Sequence, residues 1–293
     1  MIAFGALLLQ FLQVTLVVSQ AKPGCQDKCG NISIPYPFGI GENCFREGFG
    51  IDCNSTNDGL VPFISGSNID ITNISLSTGE IIVNQYIARD CYNRTGFQVR
   101  NNRPTFKLRN SGIFTLSHTQ NKFTVLGCDT YAYIGPPYDD PDFQTGCRTI
   151  CKEPNMVIDG SCSGIGCCQT SIPKGVKKMM IVIQSFNNHT NVSSFNPCGY
   201  AFLADLNWFK FHGLSDLLSK FYEKNNGEAP LVLDWAVGNQ TCEEAQRAPN
   251  SDHACVSENS YCYDSTNGPG YRCNCSVGCL GNPYLHGGCV CGS

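Results

Sequence analysis

The chain has 293 residues, of which 42% are hydrophobic and 15% are charged, and its formal net charge at pH 7 is -4. The apolar content is enough for a folded core and excludes a wholly disordered chain. The negative net charge excludes polyanion binding by the surface as a whole, so a site for an acidic ligand has to be a local cluster of basic residues.

The first predicted element is an apolar segment at residues 2–18, which is followed by small residues at Ser19 and Ala21 and then by Pro23. This order is typical of a signal peptide, so residues 1–21 are predicted to be removed and the mature protein is expected to be secreted and extracellular. No Lys or Arg precedes the segment, which leaves an uncleaved anchor or a buried helix as alternatives. No later segment reaches the roughly 20 apolar residues that span a bilayer.

Cysteine usage also indicates the secretory route. The chain has 20 cysteines, and all of them follow the predicted signal peptide. Because cytosolic thiols stay reduced and a secretory route oxidises them, we predict that these cysteines form disulfides. Glycosylation sequons (N-x-S/T) agree with this compartment. They begin at Asn31, Asn54, Asn73, Asn93, Asn188, Asn191, Asn239 and Asn274.

Residues 25–198 are predicted to be rich in β-strands, because short alternating segments are separated by turn residues. Residues 69–72 alternate between apolar and polar side chains, and the alternation resumes after a slip at Asn73. Turns are predicted at residues 57–59 and 77–79, where Asn, Asp, Ser, Thr and Gly cluster.

Further along the chain, residues 114–118 and 123–126 are predicted to pair as a hairpin. Residues 136–142 form a rigid acidic loop, at which we place a domain boundary. The apolar segment 179–183 has the length of a strand. One helix is predicted at residues 215–224, capped by its first residue.

Several residues resemble reactive or metal-binding groups, but disulfides explain them more simply. Cys162 lies in a Gly-Ser-Cys-Ser-Gly sequence like that of a nucleophile elbow, and Cys147 and Cys151 have a loosely zinc-like spacing. An oxidised chain favours bridges in both cases. The neighbours Cys167 and Cys168 are predicted to bond different partners, since disulfide geometry disfavours a bond between adjacent residues.

Neither a metal site nor a cofactor is predicted. The five histidines are scattered without ligand spacing, and His189 is expected to be exposed because it lies between two sequons. Asp139, Asp140 and Asp142 lack the Gly and Glu that complete an EF-hand calcium loop. No motif indicates a nucleic-acid partner or a catalytic residue.

The last fifty or so residues are dense in cysteine and poor in apolar side chains. Their cysteine order, with a Cys-Asn-Cys at residues 273–275, resembles an EGF-like module, which has too little core to fold without its bridges. The resemblance implies that the first cysteine pairs with the third, the second with the fourth and the fifth with the sixth. These pairs are Cys242–Cys262, Cys255–Cys273 and Cys275–Cys289. Cys279 and Cys291 could then pair with each other, while the pairing of the twelve cysteines upstream stays open.

One segment has a strong local charge. Residues 89–122 contain seven basic residues and one acidic residue, Asp90. The formal charge of this segment is therefore +6 in a chain that is negative overall. The basic residues are Arg89, Arg94, Arg100, Arg103, Lys107, Arg109 and Lys122. Arginine suits carboxylate recognition, and Tyr92, Phe97 and Phe106 lie among these residues and could stack on sugar faces. The segment is therefore a candidate polysaccharide-binding patch, with a solvated basic surface as the alternative.

The sequences YPFGIG (36–41) and GIGCCQTSIP (164–173), together with the cysteines around them, resemble the ectodomains of plant wall-associated receptor kinases. This resemblance extends over nearly the whole mature chain. It implies a mainly β fold, with disulfide-rich extracellular β domains followed by a small EGF-like module. We expect a galacturonan-binding-like domain at residues 22–135, a second cysteine-rich β region at 136–235 and an irregular EGF-like module at 236–293.

The resemblance implies non-catalytic binding of de-esterified pectin or oligogalacturonides in the cell wall, so we do not expect an enzyme. Two features depart from the family: Cys279 replaces an aromatic residue, and the sequence ends before any transmembrane helix or kinase domain. The EGF-type calcium signature before Cys242 is also missing. The alternatives are a protein-interaction or decoy module for full-length receptors and a truncated form of a receptor kinase. A secreted hydrolase would need a carboxylate pair or a nucleophile, for which we find no candidate.

Overall fold

The computed structural model describes residues 20–57, 59–108, 112–137, 143–218, 220–248 and 252–292. Its strands, in chain order, are β1 (Lys28–Cys29), β2 (Ile32–Ser33), β3 (Ile51–Thr56), β4 (Gly59–Ile64), β5 (Ile71–Ser75), β6 (Glu80–Tyr86), β7 (Ala88–Tyr92), β8 (Gln98–Asn102), β9 (Thr105–Lys107), β10 (Phe114–Leu116), β11 (Asn121–Gly127), β12 (Asp129–Gly135), β13 (Thr145–Ile150), β14 (Ser163–Thr170), β15 (Lys178–Ser185), β16 (Cys198–Asp205), β17 (Glu228–Trp235), β18 (Ser260–Asp264), β19 (Tyr271–Cys275), β20 (Cys279–Gly281) and β21 (Cys289–Cys291). The α-helices are short: α1 (Leu214–Leu217), α2 (Phe221–Lys224) and α3 (Cys242–Arg247). The predicted mainly β, disulfide-rich fold is confirmed.

Three larger antiparallel sheets form the body of the molecule. Their strand orders are β14-β11-β16-β7-β8, β10-β17-β6-β5 and β13-β12-β15-β9. Each sheet contains strands from both sides of the boundary predicted at residue 136. The division into regions 22–135 and 136–235 therefore stays a prediction about the sequence, while in space the two regions share their sheets.

Local sequence signals correctly place several elements. The turns at residues 57–59 and 77–79 connect β3 to β4 and β5 to β6. The slip at Asn73 is a change of register between β5 and β6, as expected for a β-bulge. The strand-sized apolar segment lies within β15.

The predicted hairpin between residues 114–118 and 123–126 is wrong. β10 pairs with β17, whereas β11 pairs with β14 and β16 in a different sheet. Strands that follow one another closely usually pair, but here both are completed by strands from much later in the chain, which no local pattern could reveal.

The predicted single helix at residues 215–224 is also wrong. Leu218 has an extended backbone and ends α1, and α2 begins three residues later. Leu217 and Phe221 both lie in a buried cluster, whereas Leu218 is exposed. The sequence reading missed α3, although Thr241 and Glu244 form the capping box that marks helix starts.

A buried aromatic cluster joins the first fifty described residues to the large sheets. Phe38 packs edge-on against Phe49 at 5.0 Å and against Trp235 at 5.4 Å between ring centroids. All three side chains are at most 1% exposed. Burying such a side chain stabilises the fold by about 1.5–3 kcal/mol, so this cluster holds the YPFGIG segment against β17.

All twenty cysteines form disulfides. The upstream pairs are Cys25–Cys44, Cys29–Cys53, Cys91–Cys198, Cys128–Cys151, Cys147–Cys168 and Cys162–Cys167. The neighbours Cys167 and Cys168 thus bond different partners. The C-terminal pairs are Cys242–Cys262, Cys255–Cys273, Cys275–Cys289 and Cys279–Cys291, which are those that the EGF resemblance implies.

The EGF-like module is packed against the β-sheets. The buried Arg272 donates from Nε to the carbonyl of Trp235 at 2.6 Å, and the ring of Tyr284 lies 5.8 Å from that of Trp235. These contacts make the module part of the folded body. Within the described residues, no helix is long and apolar enough to cross a bilayer.

Candidate functional site

A cleft with a volume of about 740 Å³ opens beside the sheet that ends in β9. Four of its lining residues are lysines, Lys107, Lys174, Lys177 and Lys178, and the described lining contains no acidic side chain. Its other lining residues are Leu108, Gly112, Pro136, Phe143, Pro173, Gly175 and Val176. We call this feature the basic cleft. Its charge and concave shape suit an anionic ligand.

Two strands and one loop position the lysines. Lys107 of β9 and Lys178 of β15 lie directly opposite each other in the antiparallel register. Residues 173–177, which we call the lysine loop, lead into β15 and are held by a bond from the Leu116 N–H to the Val176 carbonyl at 2.8 Å. Val176 is buried, so the loop is anchored through its apolar residue while its lysines border the cleft.

The cleft concentrates positive charge where strand pairing alone would disfavour it. Like charges directly opposite each other on neighbouring strands are destabilising, and the Lys107–Lys178 pair has this arrangement. Lys177 donates from Nζ to the carbonyl of Gly112 at 2.7 Å, which holds its ammonium group at the edge of the cleft.

The structure does not gather the seven predicted basic residues into one cluster. The guanidinium of Arg89 lies 3.9 Å from the ring centroid of Tyr222 and 3.8 Å from the Glu223 carboxylate. Lys122 donates to the Ser171 hydroxyl at 2.8 Å. Both side chains are therefore engaged within the protein.

The remaining predicted residues follow the edge of the five-stranded sheet. Arg94 precedes β8, Arg100 lies in it and Arg103 follows it, and all three are exposed. Lys107 of β9 is the predicted residue that lines the basic cleft. Arg109 lies outside the described residues.

Two of the three aromatic residues suggested as stacking platforms are buried. Tyr92 is 8% and Phe106 6% exposed, so the suggestion is wrong for both. Tyr92 donates to Asp90 at 2.8 Å, and its burial together with this carboxylate raises the pKa of Tyr92 to about 12. Phe97 is 70% exposed and stays available to a ligand.

The sequence reading missed three of the four cleft lysines. Residues 174–178 read KGVKK, directly after the family-like GIGCCQTSIP sequence. This short basic run is the sequence signal for the cleft lysines, and it lies outside the basic segment at residues 89–122. Only the pairing of β9 with β15 brings the run beside Lys107.

A second cleft, of about 640 Å³, lies between the N-terminal segment and the EGF-like module. We call it the Tyr36 cleft, since Tyr36 lines it with Lys22, Arg46 and Asp252. Lys22 bonds the Asn43 carbonyl at 2.6 Å, and Arg46 pairs with the Asp252 carboxylate at 2.7 Å. Its positive charge is therefore partly neutralised by Asp252.

The described residues offer no convincing metal or nucleophile site. His253, Cys255 and Cys262 come within 4.8 Å of one another, but both cysteines are in disulfides and cannot act as thiolate ligands. Cys162 is bonded to Cys167, which removes the candidate nucleophile. Asp139, Asp140 and Asp142 lie outside the described residues.

The glycosylation sequons avoid the basic cleft. Seven of the eight asparagines are exposed, and Asn274 is half-buried. None of the eight lines the cleft. We call the exposed residues Arg94, Arg100 and Arg103 the arginine edge. Asn93 is adjacent to Arg94 and bonds the backbone of Phe97, so a glycan there would cover part of the arginine edge instead.

Two segments of the chain match models of known protein families. Residues 25–85 match a family model described as wall-associated receptor kinase galacturonan-binding, and residues 159–236 match one described as wall-associated kinase. Two segments of the chain are therefore similar to wall-associated receptor kinase family models.

Particular relatives come from Arabidopsis thaliana. Wall-associated receptor kinase 2 is 38% identical over 277 residues, and wall-associated receptor kinase 5 is 36% identical over 282 residues. Each alignment covers 94% of this chain and 35% of the relative. The chain thus matches an ectodomain-sized third of these proteins. No solved structure matches it.

The two family matches include residues from different clefts. The galacturonan-binding match includes Tyr36 and Arg46 of the Tyr36 cleft. The wall-associated kinase match includes the lysine loop, while Lys107 lies between the two matches. The greater positive charge and the family's galacturonan-binding segment therefore lie at different places on the molecule.

Proposed function

We propose that the protein binds de-esterified pectin or oligogalacturonides without transforming them, and that the basic cleft is the main site. The observation that carries the proposal is the convergence of four lysines around one cleft. A polymer of uronic acids presents one carboxylate per sugar, which suits a row of ammonium groups. The galacturonan-binding match supports the same ligand class.

Longer chains would continue along the arginine edge. Arg103 and Lys107 are four residues apart, so extended backbone separates them by at most about 14 Å. A polymer seated in the cleft could therefore reach Arg103 and then Arg100. We expect binding alone, because the sequence offers no candidate carboxylate pair or nucleophile for hydrolysis.

Charge reversal tests the site. We expect Lys174→Glu, Lys177→Glu and Lys178→Glu together to weaken oligogalacturonide binding at least about tenfold, which corresponds to about 1.4 kcal/mol. The matched control reverses three exposed lysines outside the cleft, Lys210, Lys220 and Lys224, and changes the net charge equally. Isothermal titration calorimetry of the glycosylated, secreted proteins measures the oligogalacturonide affinity of both triple variants. Equal losses in the two triple variants would show that only overall charge matters.

The Tyr36 cleft provides the competing location. If the cleft-lysine variant binds like wild type and Tyr36→Ala abolishes binding, the site lies in the galacturonan-binding segment instead. The arginine edge is tested by reversing Arg94, Arg100 and Arg103, for which we expect a smaller loss with short oligomers than with long ones.

Ionic strength and esterification test the kind of recognition. Exposed charges are screened over about 8 Å at physiological salt and about 3 Å at 1 M, so affinity should fall steeply as salt rises. Methyl-esterified pectin lacks the carboxylates and should bind poorly. Binding that ignores both variables would contradict recognition of the uronate charge.

We also propose that the protein reaches the cell wall by secretion. N-terminal sequencing of the expressed protein should begin between residues 20 and 22, after removal of the apolar leader. Recovery of intact Met1 in the membrane fraction would contradict this.

A second candidate function is interaction with receptor ectodomains through the EGF-like module. Leu280 and Val290 face each other across β20 and β21 and are 82% and 63% exposed, and Val277 nearby is fully exposed. Replacing Leu280 and Val290 with Ser should abolish such pairing while pectin binding persists. Unchanged co-purification with a receptor ectodomain would exclude this surface.

A further inference from the structure

One side chain of the EGF-like module reaches into the framework of the basic cleft. Asn267, on the turn between β18 and β19, is 2% exposed. Its Oδ1 accepts a hydrogen bond from the Gly175 N–H at 2.9 Å. Its Nδ2 donates to the Leu116 carbonyl at 2.9 Å and to the Asp234 carboxylate at 2.6 Å.

These bonds hold the lysine loop from two sides. Asn267 bonds Gly175 directly, and Leu116, which also accepts from Asn267, donates its N–H to the carbonyl of Val176. Gly175 and Val176 lie between Lys174 and Lys177, two of the four cleft lysines. The backbone of the loop is thus fixed at two successive residues by a network that the EGF-like module completes.

Asn267 is not needed for the module's own covalent framework. The disulfides already hold β18 and β19, and each amide contact above points out of the module into the β-sheets. A module that acted only as a spacer would not need a buried amide at this contact. Buried amides are costly unless bonded, so the contact fixes one orientation of module and loop.

We propose that Asn267 is a positioning residue for the basic cleft and that it couples ligand binding in the cleft to the EGF-like module. This inference rests on the proposed function. A loop held in place before binding loses less conformational freedom when it meets the ligand, and so binds more tightly. Coupling between two sites is reciprocal, so a ligand on the lysines also stabilises the Asn267 contact.

The test compares Asn267→Ala with Asn282→Ala in the full glycosylated chain. Asn282 is a matched control, because it is an asparagine of the same module, also 2% exposed, that donates to the carbonyls of Gln20 and Tyr36. We expect Asn267→Ala to speed amide hydrogen exchange in the lysine loop and to weaken binding of a defined de-esterified oligogalacturonide about fivefold or more. Asn282→Ala should leave both values at the wild-type level.

A second measurement needs only the wild-type protein and covers the case in which Asn267→Ala does not fold. Adding the oligogalacturonide should slow exchange at residues 265–268 as well as in the lysine loop. Unchanged exchange at residues 265–268, or equal loss of affinity in the two asparagine variants, would overturn the coupling. If wild type binds the oligogalacturonide and the cleft-lysine variant does not, the proposed function is supported. Normal binding by Asn267→Ala would then contradict the inference alone. If wild type does not bind, the proposed function fails and the inference with it.

Discussion

At the scale of single residues, His189 departs most from the sequence expectation. Its position between two sequons predicted exposure, but the ring is completely buried and stacks on Tyr92 at 5.5 Å. Its Nδ1 donates to the Asn196 carbonyl at 2.8 Å, and its backbone N–H donates to Asp129 at 2.9 Å. The sequon asparagines Asn188 and Asn191 are exposed, whereas the His189 ring points inward.

Burial should make stability depend on the protonation of His189. Burial lowers the pKa of His189, although the bond to Asn196 and the Asp129 carboxylate oppose the shift. Above the unfolded pKa of about 6.5 both states are neutral and the full stability is present, whereas below it the unfolded state takes up a proton first and stability falls. The loss is at most about 1.4 kcal/mol per pH unit until the folded pKa is reached.

The variant His189→Asn keeps a donor for Asn196 and cannot titrate. We expect it to lose less stability than wild type between about pH 7.5 and about pH 5 in urea unfolding. An identical loss in both proteins would assign the pH dependence to other groups.

At Gly79, both the backbone conformation and a tertiary contact favour glycine. Its φ is +67°, and a Cβ there would lie 2.7 Å from the side chain of Arg272, which donates to the carbonyls of Trp235 and Thr78. Gly287 has φ +64° but open space around its Cβ position. We expect Gly287→Ala to cost about 1–2 kcal/mol through backbone strain and Gly79→Ala to cost clearly more, since Arg272 must also move. Thermal unfolding of both variants measures the difference, and equal costs would contradict the steric argument.

At the scale of elements, α3 depends on its cap. Thr241 accepts from the Glu244 N–H at 3.2 Å, and Glu244 accepts from the Thr241 N–H at 2.8 Å. Thr241→Ala should lower the free energy of unfolding by about 1 kcal/mol. The substitution also removes the Asn239 sequon, so Asn239→Gln, which removes the glycan and keeps the cap, is the control. If the two variants are equally destabilised, the glycan and not the cap stabilises this region.

The elements also show where local patterns suffice. Alternation predicted β5 and turn residues predicted the connections at residues 57–59 and 77–79, because each signal lies within a few neighbouring residues. β10 and β11 were paired wrongly because their partners, β17 and β16, come far later in the chain. Residues 215–224 do not form one continuous helix, because Leu218 has an extended backbone that the local helical pattern does not predict.

At the scale of the whole molecule, the EGF-like module and the β-sheets should unfold together. Tyr284 is 2% exposed, contacts Trp235 and accepts a bond from the Cys273 N–H at 2.9 Å. Tyr284→Ala should cost about 3–5 kcal/mol and lower a single transition seen by both calorimetry and tryptophan fluorescence. Tyr261→Ala, in the same module but 48% exposed, should change little. Two separate transitions in wild type would show that the module folds independently.

The sequence by itself determined the oxidised, extracellular class, the mainly β fold and the EGF-like cysteine order, because composition, alternation and cysteine spacing are properties of neighbouring residues. It also predicted a local basic patch that includes Lys107, and the structure places Lys107 in the lining of the basic cleft. Only the tertiary structure decided which basic residues share a cleft. Lys107 meets Lys178 through β9–β15 pairing, Arg89 is engaged by Tyr222, and Asn267 meets Gly175 from another module. Such contacts join residues far apart in the chain, and the long-range packing that creates them leaves no periodic signal in the sequence.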